Sequence, residues 1–191
     1  KWAQTKDGFI DKIRTSNNKG INWITSASTK KIVHKWRSEE DAILVGRKTV
    51  EIDNPSLTTR EIKGENPVRI VIDPNLSLTN KYHIFNDEAK TLIFNYNKNE
   101  NENTNEFIKI SKNSPVNDIL SKLYQHELSS VIIEGGASTI QHFIDEGFWD
   151  EARVIEGNIR FKDGIISPQL NCKKHSKLEL NKDTIKTFYN D

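Results

Sequence analysis

Apolar residues come in short runs along this chain, and the spacing inside the runs changes from place to place. Residues 41–46, Val68–Ile72, 91–94 and 130–134 are almost unbroken apolar stretches of strand length. They predict strands buried on both faces. Shorter runs at residues 1–5, 107–110 and 149–155 predict further strands. Elsewhere the apolar positions fall three and four apart. Ile32, Val33 and Trp36 predict a helix over Ala27–Glu39, with Thr25, Ser26 and Ser28 as candidate N-caps. Val116, Ile119, Leu120 and Leu123 predict a second over residues 115–126. A third covers residues 137–146 and is closed by Gly147.

The polar stretches between these runs read as turns and loops. Asp7-Gly8 marks a turn, residues 11–20 a loop, and residues 95–106 a solvated hairpin or loop. Residues 47–51 have room for a short helical turn, which Asp53-Asn54-Pro55 then breaks. The tail carries weak strand signals around Ile165 and residues 178–180, suited to antiparallel strands at a sheet edge. Strands alternating with helices predict an α/β class with a mainly parallel sheet. Nothing repeats and no long linker divides the chain, so residues 1–191 read as one domain.

Composition narrows the function. Lys plus Arg number 28 against 27 for Asp plus Glu, so no general charge draws the chain to nucleic acid or membrane. Binding of an anion must rest on a few placed residues. No apolar run is long enough for a membrane helix. The single cysteine, Cys172, forms no disulfide within the chain and points to a reducing, cytoplasmic setting. His34, His83, His126, His142 and His175 show no metal-ligand spacing, so no metal is expected; His34 and His142 read as packing or surface residues. The zinc-deaminase signature, G-x-S-x-G and the P-loop are all missing. There is no methionine, which suggests a piece of a longer sequence.

Three places can carry chemistry. Val131 to Glu134 is followed by Gly135-Gly136-Ala137-Ser138-Thr139, a strand running through two glycines into a helix start. Free N–H groups at such a start favour a phosphate; a plain tight turn is the alternative. Glu134 ends that strand, where ligands of open α/β sheets bind, or it is an ordinary solvated acid. After the strand at 41–46, Arg47 and Lys48 can take a phosphate monoester such as the 2′-phosphate of NADP, or they simply face solvent. Arg37 and Arg60 flank this region and can clamp a substrate phosphate, although their separation in sequence carries no distance.

Taken in order, these segments resemble one family. They run from Lys1-Trp-Ala-Gln-Thr-Lys-Asp7-Gly8 through Trp23-Ile-Thr-Ser26 to His34-Lys-Trp-Arg37. Residues 41–49, residues 53–60 and Pro67-Val-Arg-Ile-Val-Ile-Asp73 follow. Glu134-Gly-Gly-Ala-Ser-Thr139 and Trp149-Asp-Glu151 complete the series. The whole is similar to the reductase domain of the bifunctional deaminase-reductase of riboflavin biosynthesis, over roughly residues 1–155. The resemblance implies a dihydrofolate-reductase-like fold, with a mixed, mainly parallel sheet flanked by helices. It also implies a homodimer, and a zinc deaminase domain that lies upstream in the multifunctional relatives and outside this chain.

The implied activity is NADPH-dependent reduction of 5-amino-6-(5-phosphoribosylamino)uracil to the ribitylamino product. By resemblance, Ala3, Trp23, Thr49 and Asp53 stand on the cofactor side, with Gly135, Gly136, Ala137, Ser138, Thr139, Ile140, Gln141 and His142 around the cofactor phosphates. Arg37, Leu57, Arg60 and Glu134 stand on the substrate side. Ile21 and Pro74 match one position of each kind, through backbone or packing only. Glu134, Lys1 and Asp53 are the expected catalytic residues, the first two holding or protonating heterocycle and sugar and Asp53 orienting the ribose or relaying a proton, while an opened ribosylamine takes a hydride at C1. The rivals are a pterin reductase, a non-catalytic nucleotide-binding domain, and a reductase of a related sugar phosphate. A pterin reductase grips its ring with an acid on the first helix, and the helix at Ala27 has none until Glu39.

Overall fold

The computed structural model describes residues 1–14, 19–172 and 175–190. The chain divides into two compact units, one made of Lys1–Val33 with Glu134–Asp191, the other of His34–Ile133.

The His34–Ile133 unit is organised by parallel strands. These are β3 (Ala42–Gly46), β4 (Val68–Ile72), β5 (Thr91–Asn95) and β7 (Asn105–Lys109), paired in the order β3-β4-β5-β7. The short β6 (Glu100–Glu102) pairs antiparallel with β7, so part of the polar stretch at 95–106 is a hairpin. On the far side β3 is followed by β8 (Val131–Gly135), completing a six-stranded sheet. Every residue of β3 and β5 is buried, as unbroken apolar runs covered on both faces should be. Ile43, Val45, Val71, Ile93 and Ile132 from the strands meet Val50 of α2 (Arg47–Asp53), Leu57 and Ile84 in one core cluster. Helix α3 (Pro115–Gln125) buries Val116, Ile119 and Leu123, three of the four positions its periodicity singles out.

Arg69 is the exception inside β4. It is fully buried, yet its guanidinium meets no carboxylate at hydrogen-bond distance among the described residues. Nε donates to Thr91 Oγ1, Nη1 to Asn86 Oδ1 and the His83 carbonyl, and Nη2 to the carbonyls of Asn86 and Ala89. A buried cation is tolerated when its donors are met in this way. The result ties the 83–89 loop to the centre of the sheet.

The other unit has a four-stranded sheet in the order β1-β9-β12-β11. Strand β1 (Trp2–Thr5) runs parallel to β9 (Glu151–Gly157), and β12 (Asp183–Tyr189) is antiparallel to both β9 and β11 (His175–Leu180). A second pairing joins β2 (Phe9–Asp11) to β10 (Ile165–Ile166). The buried Asp183 accepts from the Ser26 amide and from Thr29 Oγ1, and so satisfies the start of α1 (Ala27–Glu39). Gly157 is required at the end of β9, because a Cβ there would lie 2.1 Å from the Ile24 carbonyl oxygen.

Several boundaries differ from expectation. Strand β2 occupies Asp11, placed in a loop by its polar context; residues 15–18 of that loop lie outside the described residues. Helix α2 runs on to Asp53, because Asn54 rather than Asp53 makes the break, in a left-handed conformation. The weak tail signal at 178–180 is one arm of a long hairpin. Its other arm, β12, carries no clear strand signal because Asp183, Lys186 and neighbouring charges interrupt its apolar alternation.

Candidate functional site

In the Lys1–Val33 and Glu134–Asp191 unit, the carboxyl end of β8 delivers Glu134, whose side chain is 7% exposed. Its Oε2 lies 3.5 Å from Nζ of Lys1, itself 11% exposed. Holding an ammonium and a carboxylate out of water is costly unless their surroundings supply partners, and such pairs mark sites of function. Gly135 is buried, and the peptide joining it to Gly136 is cis. Gly136 is then the extended N-cap of α4 (Ala137–Asp145), and no side chain caps it among the described residues. The first helical bond runs from the Ile140 amide to the Gly136 carbonyl, so the amides of Ala137, Ser138 and Thr139 have no partner within the helix.

The remaining expected residues of this helix behave differently. Ile140 is buried in the core. Gln141 donates to Asp145 and to the Gln169 carbonyl, and accepts the Gln169 amide, which binds α4 to the 169 segment. His142 is exposed in the last turn. Ala3 lies on β1 opposite Ile155 and is half-buried. Trp23 is 56% exposed, with the Lys30 ammonium 4.0 Å from its ring centroid. Ile21 is exposed.

In the His34–Ile133 unit, β3 feeds α2 and then a stretch of irregular chain from Asn54 to Arg60. Arg47 pairs with Glu51 one turn along at 2.5 Å, while Lys48 is exposed with no ion pair among the described residues. Thr49 and Asp53 are half-buried on α2. The Asn54 amide donates to the Val50 carbonyl, and Asn54 Oδ1 accepts the His83 amide at 2.8 Å. Leu57 has φ +55° although it is neither glycine nor asparagine, and its side chain belongs to the core cluster. Any contact it makes with a ligand is therefore through its backbone. Pro74 follows β4, and its carbonyl already accepts from the Tyr96 amide and the Asn97 side chain.

Three side chains fix the end of this irregular segment. Arg37 Nη1 donates to the Thr58 carbonyl at 3.4 Å, Asn66 Oδ1 accepts the Thr59 amide at 2.8 Å, and Nδ1 of His34 accepts the Arg60 amide at 3.1 Å. The Arg60 side chain itself is exposed and makes no ion pair among the described residues. Arg37 and Arg60 are thus brought to one segment. Sequence reading gives His34 a packing or surface role and Asn54 a part in the break after α2, and leaves Asn66 unmentioned. The available signal was the spacing of His34 and Arg37, one turn apart on α1. Among the described residues no group of His, Cys, Asp and Glu is placed to hold a metal ion. No helix there is long and apolar enough to cross a membrane.

Residues 1–160 match the profile of the RibD C-terminal domain. The riboflavin biosynthesis protein RibD of Aquifex aeolicus is 37% identical over 160 residues, covering 81% of this chain and 44% of that protein. A 2,5-diamino-6-ribosylamino-4(3H)-pyrimidinone 5′-phosphate reductase of the same organism is 30% identical over 158 residues, covering 78% of this chain and 70% of that protein. Among solved structures, a diaminohydroxyphosphoribosylaminopyrimidine deaminase/5-amino-6-(5-phosphoribosylamino)uracil reductase of Thermotoga maritima superposes with a TM-score of 0.82 at 29% identity. That likeness covers 98% of this chain and 54% of the other. A dihydrofolate reductase of Enterococcus faecalis superposes with a TM-score of 0.57 at 16% identity, a likeness of fold alone. This chain therefore spans about half the length of the bifunctional relatives it matches.

Proposed function

The chain belongs to the RibD C-terminal domain family, with a dihydrofolate-reductase-like α/β fold, and from that membership we propose that it is a riboflavin-pathway reductase using NADPH. The substrate is 5-amino-6-(5-phosphoribosylamino)uracil and the product its ribitylamino form. The observation that carries this reading is the Glu134–Lys1 pair held beside an uncapped helix start. One feature suits a heterocycle and the other a pyrophosphate.

The residues present fit a dinucleotide. The amides of Ala137, Ser138 and Thr139 point out of α4 with the positive end of its dipole, and the hydroxyls of Ser138 and Thr139 add donors. Lys48, uncommitted and exposed, takes the 2′-phosphate better than Arg47, whose charge is spent on Glu51. When bound, the nicotinamide supplies the hydride. Glu134 accepts a ring N–H of the pyrimidine, and Lys1, 3.5 Å from that carboxylate, offers a proton as the ribosylamine opens at C1. Asp53, at the end of α2, orients the ribose. Arg37 and Arg60 take the 5′-phosphate. The enzyme works in the cytoplasm as a homodimer.

A second reading comes from the pyrimidinone phosphate reductase of Aquifex aeolicus, which covers a similar share of this chain. There the substrate is the 2,5-diamino compound, before deamination. The test is NADPH oxidation with each pyrimidine offered separately. Turnover of the uracil supports the first reading, and turnover of the diaminopyrimidinone alone supports the second. Oxidation with neither overturns both.

A further inference from the structure

We propose that His34 is a positioning residue for the substrate phosphate, acting through the backbone of Arg60. This inference rests on the reading of Arg60 as a phosphate-binding residue. His34 is 2% exposed, and a polar ring buried that far is tolerated only when it is bonded. Its Nδ1 lies 3.1 Å from the Arg60 amide nitrogen. An amide is always a donor, so Nδ1 is the acceptor and carries no proton. Residues 54–60 have neither helix nor strand to fix them, and Leu57 holds a left-handed conformation that its side chain disfavours. The direction in which Arg60 leaves the backbone is therefore set by side chains bonded to the main chain. His34 binds its amide, Asn66 the amide before it, and Arg37 the carbonyl of Thr58. His34 and Arg37 share one face of α1, so the helix that presents one phosphate-binding arginine also aims the other. Without the imidazole acceptor, the Arg60 amide must find water or leave its position, and the guanidinium moves with it.

The experiment measures steady-state constants for the wild type, His34→Leu, His34→Asn, His34→Gln and Arg60→Ala. Each is assayed with the 5′-phosphorylated substrate and with the matching unphosphorylated riboside. Asn places an oxygen near the position of Nδ1, whereas Gln places it near Nε2. His34→Leu and His34→Gln are expected to raise KM for the phosphorylated substrate roughly tenfold. Their kcat, KM for NADPH and kcat/KM for the riboside stay within about twofold, as for loss of one aiming contact. His34→Asn is expected to recover most of the loss. If His34→Leu fails to fold, the contrast between Asn and Gln decides the matter. Equal losses on both substrates, or Gln serving as well as Asn, would overturn the positioning role. If Arg60→Ala leaves the preference for the phosphorylated substrate intact, the reading of Arg60 fails first and this inference falls with it. If Arg60→Ala removes the preference while His34→Leu does not, only the role of His34 is lost.

Discussion

At the end of β8 the polypeptide presents polar groups from its own backbone. Two glycines clear the way, and a helix start offers three amides without a partner in the helix. Between Asn54 and Arg60 the reverse holds: the Thr58 carbonyl and the amides of Thr59 and Arg60 are taken by the side chains of Arg37, Asn66 and His34. A helix start needs only a short local sequence to specify it. A loop pinned by distant side chains depends on every one of them, and on whatever holds those in turn. The helix start should therefore tolerate change outside its own few residues, and the 54–60 segment should be sensitive to substitutions well away from it.

Arg69 is the sharpest probe of that contrast. Arg69→Met strands the acceptors of Thr91, Asn86, Ala89 and the 83–89 loop, and should lower unfolding free energy by about 3 kcal/mol in a urea titration. A loss under about 1 kcal/mol would mean that the loop is held by other means. Glu134→Gln removes the charge at the end of β8 without changing its shape. It should lower kcat roughly 100-fold while leaving NADPH affinity nearly unchanged. A variant with full turnover would take Glu134 off the catalytic list.

Smaller effects separate neighbouring residues. Arg60→Ala should raise KM for the phosphorylated substrate roughly 30-fold, as expected for one lost charge-assisted contact. Lys48→Ala should weaken NADPH about fivefold and NADH hardly at all. Arg47→Ala should do less, since Arg47 is already paired with Glu51. The reverse order would show that the Arg47–Glu51 pair opens for the cofactor. The gentlest probe is Asp7. Its carboxylate accepts from Thr5 Oγ1 and from the amides of Lys162 and Phe161, which hold its pKa below the ordinary value. A depressed pKa contributes stability above the ordinary carboxylate range and loses it as pH falls through the folded-state value. Asp7→Asn should therefore lower stability at neutral pH and flatten the acid limb of the profile, leaving stability below the folded-state pKa nearly unchanged.

Legibility in the sequence follows the same division. Residues 41–46 read correctly as a buried strand because a parallel strand covered on both faces leaves an unbroken apolar run, whereas residues 130–134 form a strand at the end of the sheet order in which only Ile132 and Gly135 are buried. Gly135, Gly136 and the start of α4 read correctly because the whole device lies within six residues. Arg69 was invisible as a core residue, since an arginine reads as exposed until its acceptors are located. Leu57 stood out only as a substrate-side position, and nothing local announces that its side chain enters the core. The Arg47–Glu51 pair was legible from its four-residue spacing and was passed over. His34 reads as a packing or surface residue; its burial fits the first and excludes the second, and neither finds its bond to Arg60, 26 positions away.

The central claim is hydride delivery to the sugar carbon of a pyrimidine ribosylamine phosphate. Its most direct test follows deuterium from NADPH labelled at nicotinamide C4 into the product. The account predicts deuterium at C1 of a newly formed ribityl chain, in step with cofactor oxidation. Oxidation of the cofactor with no label at that carbon, or no oxidation with either pyrimidine, would contradict it.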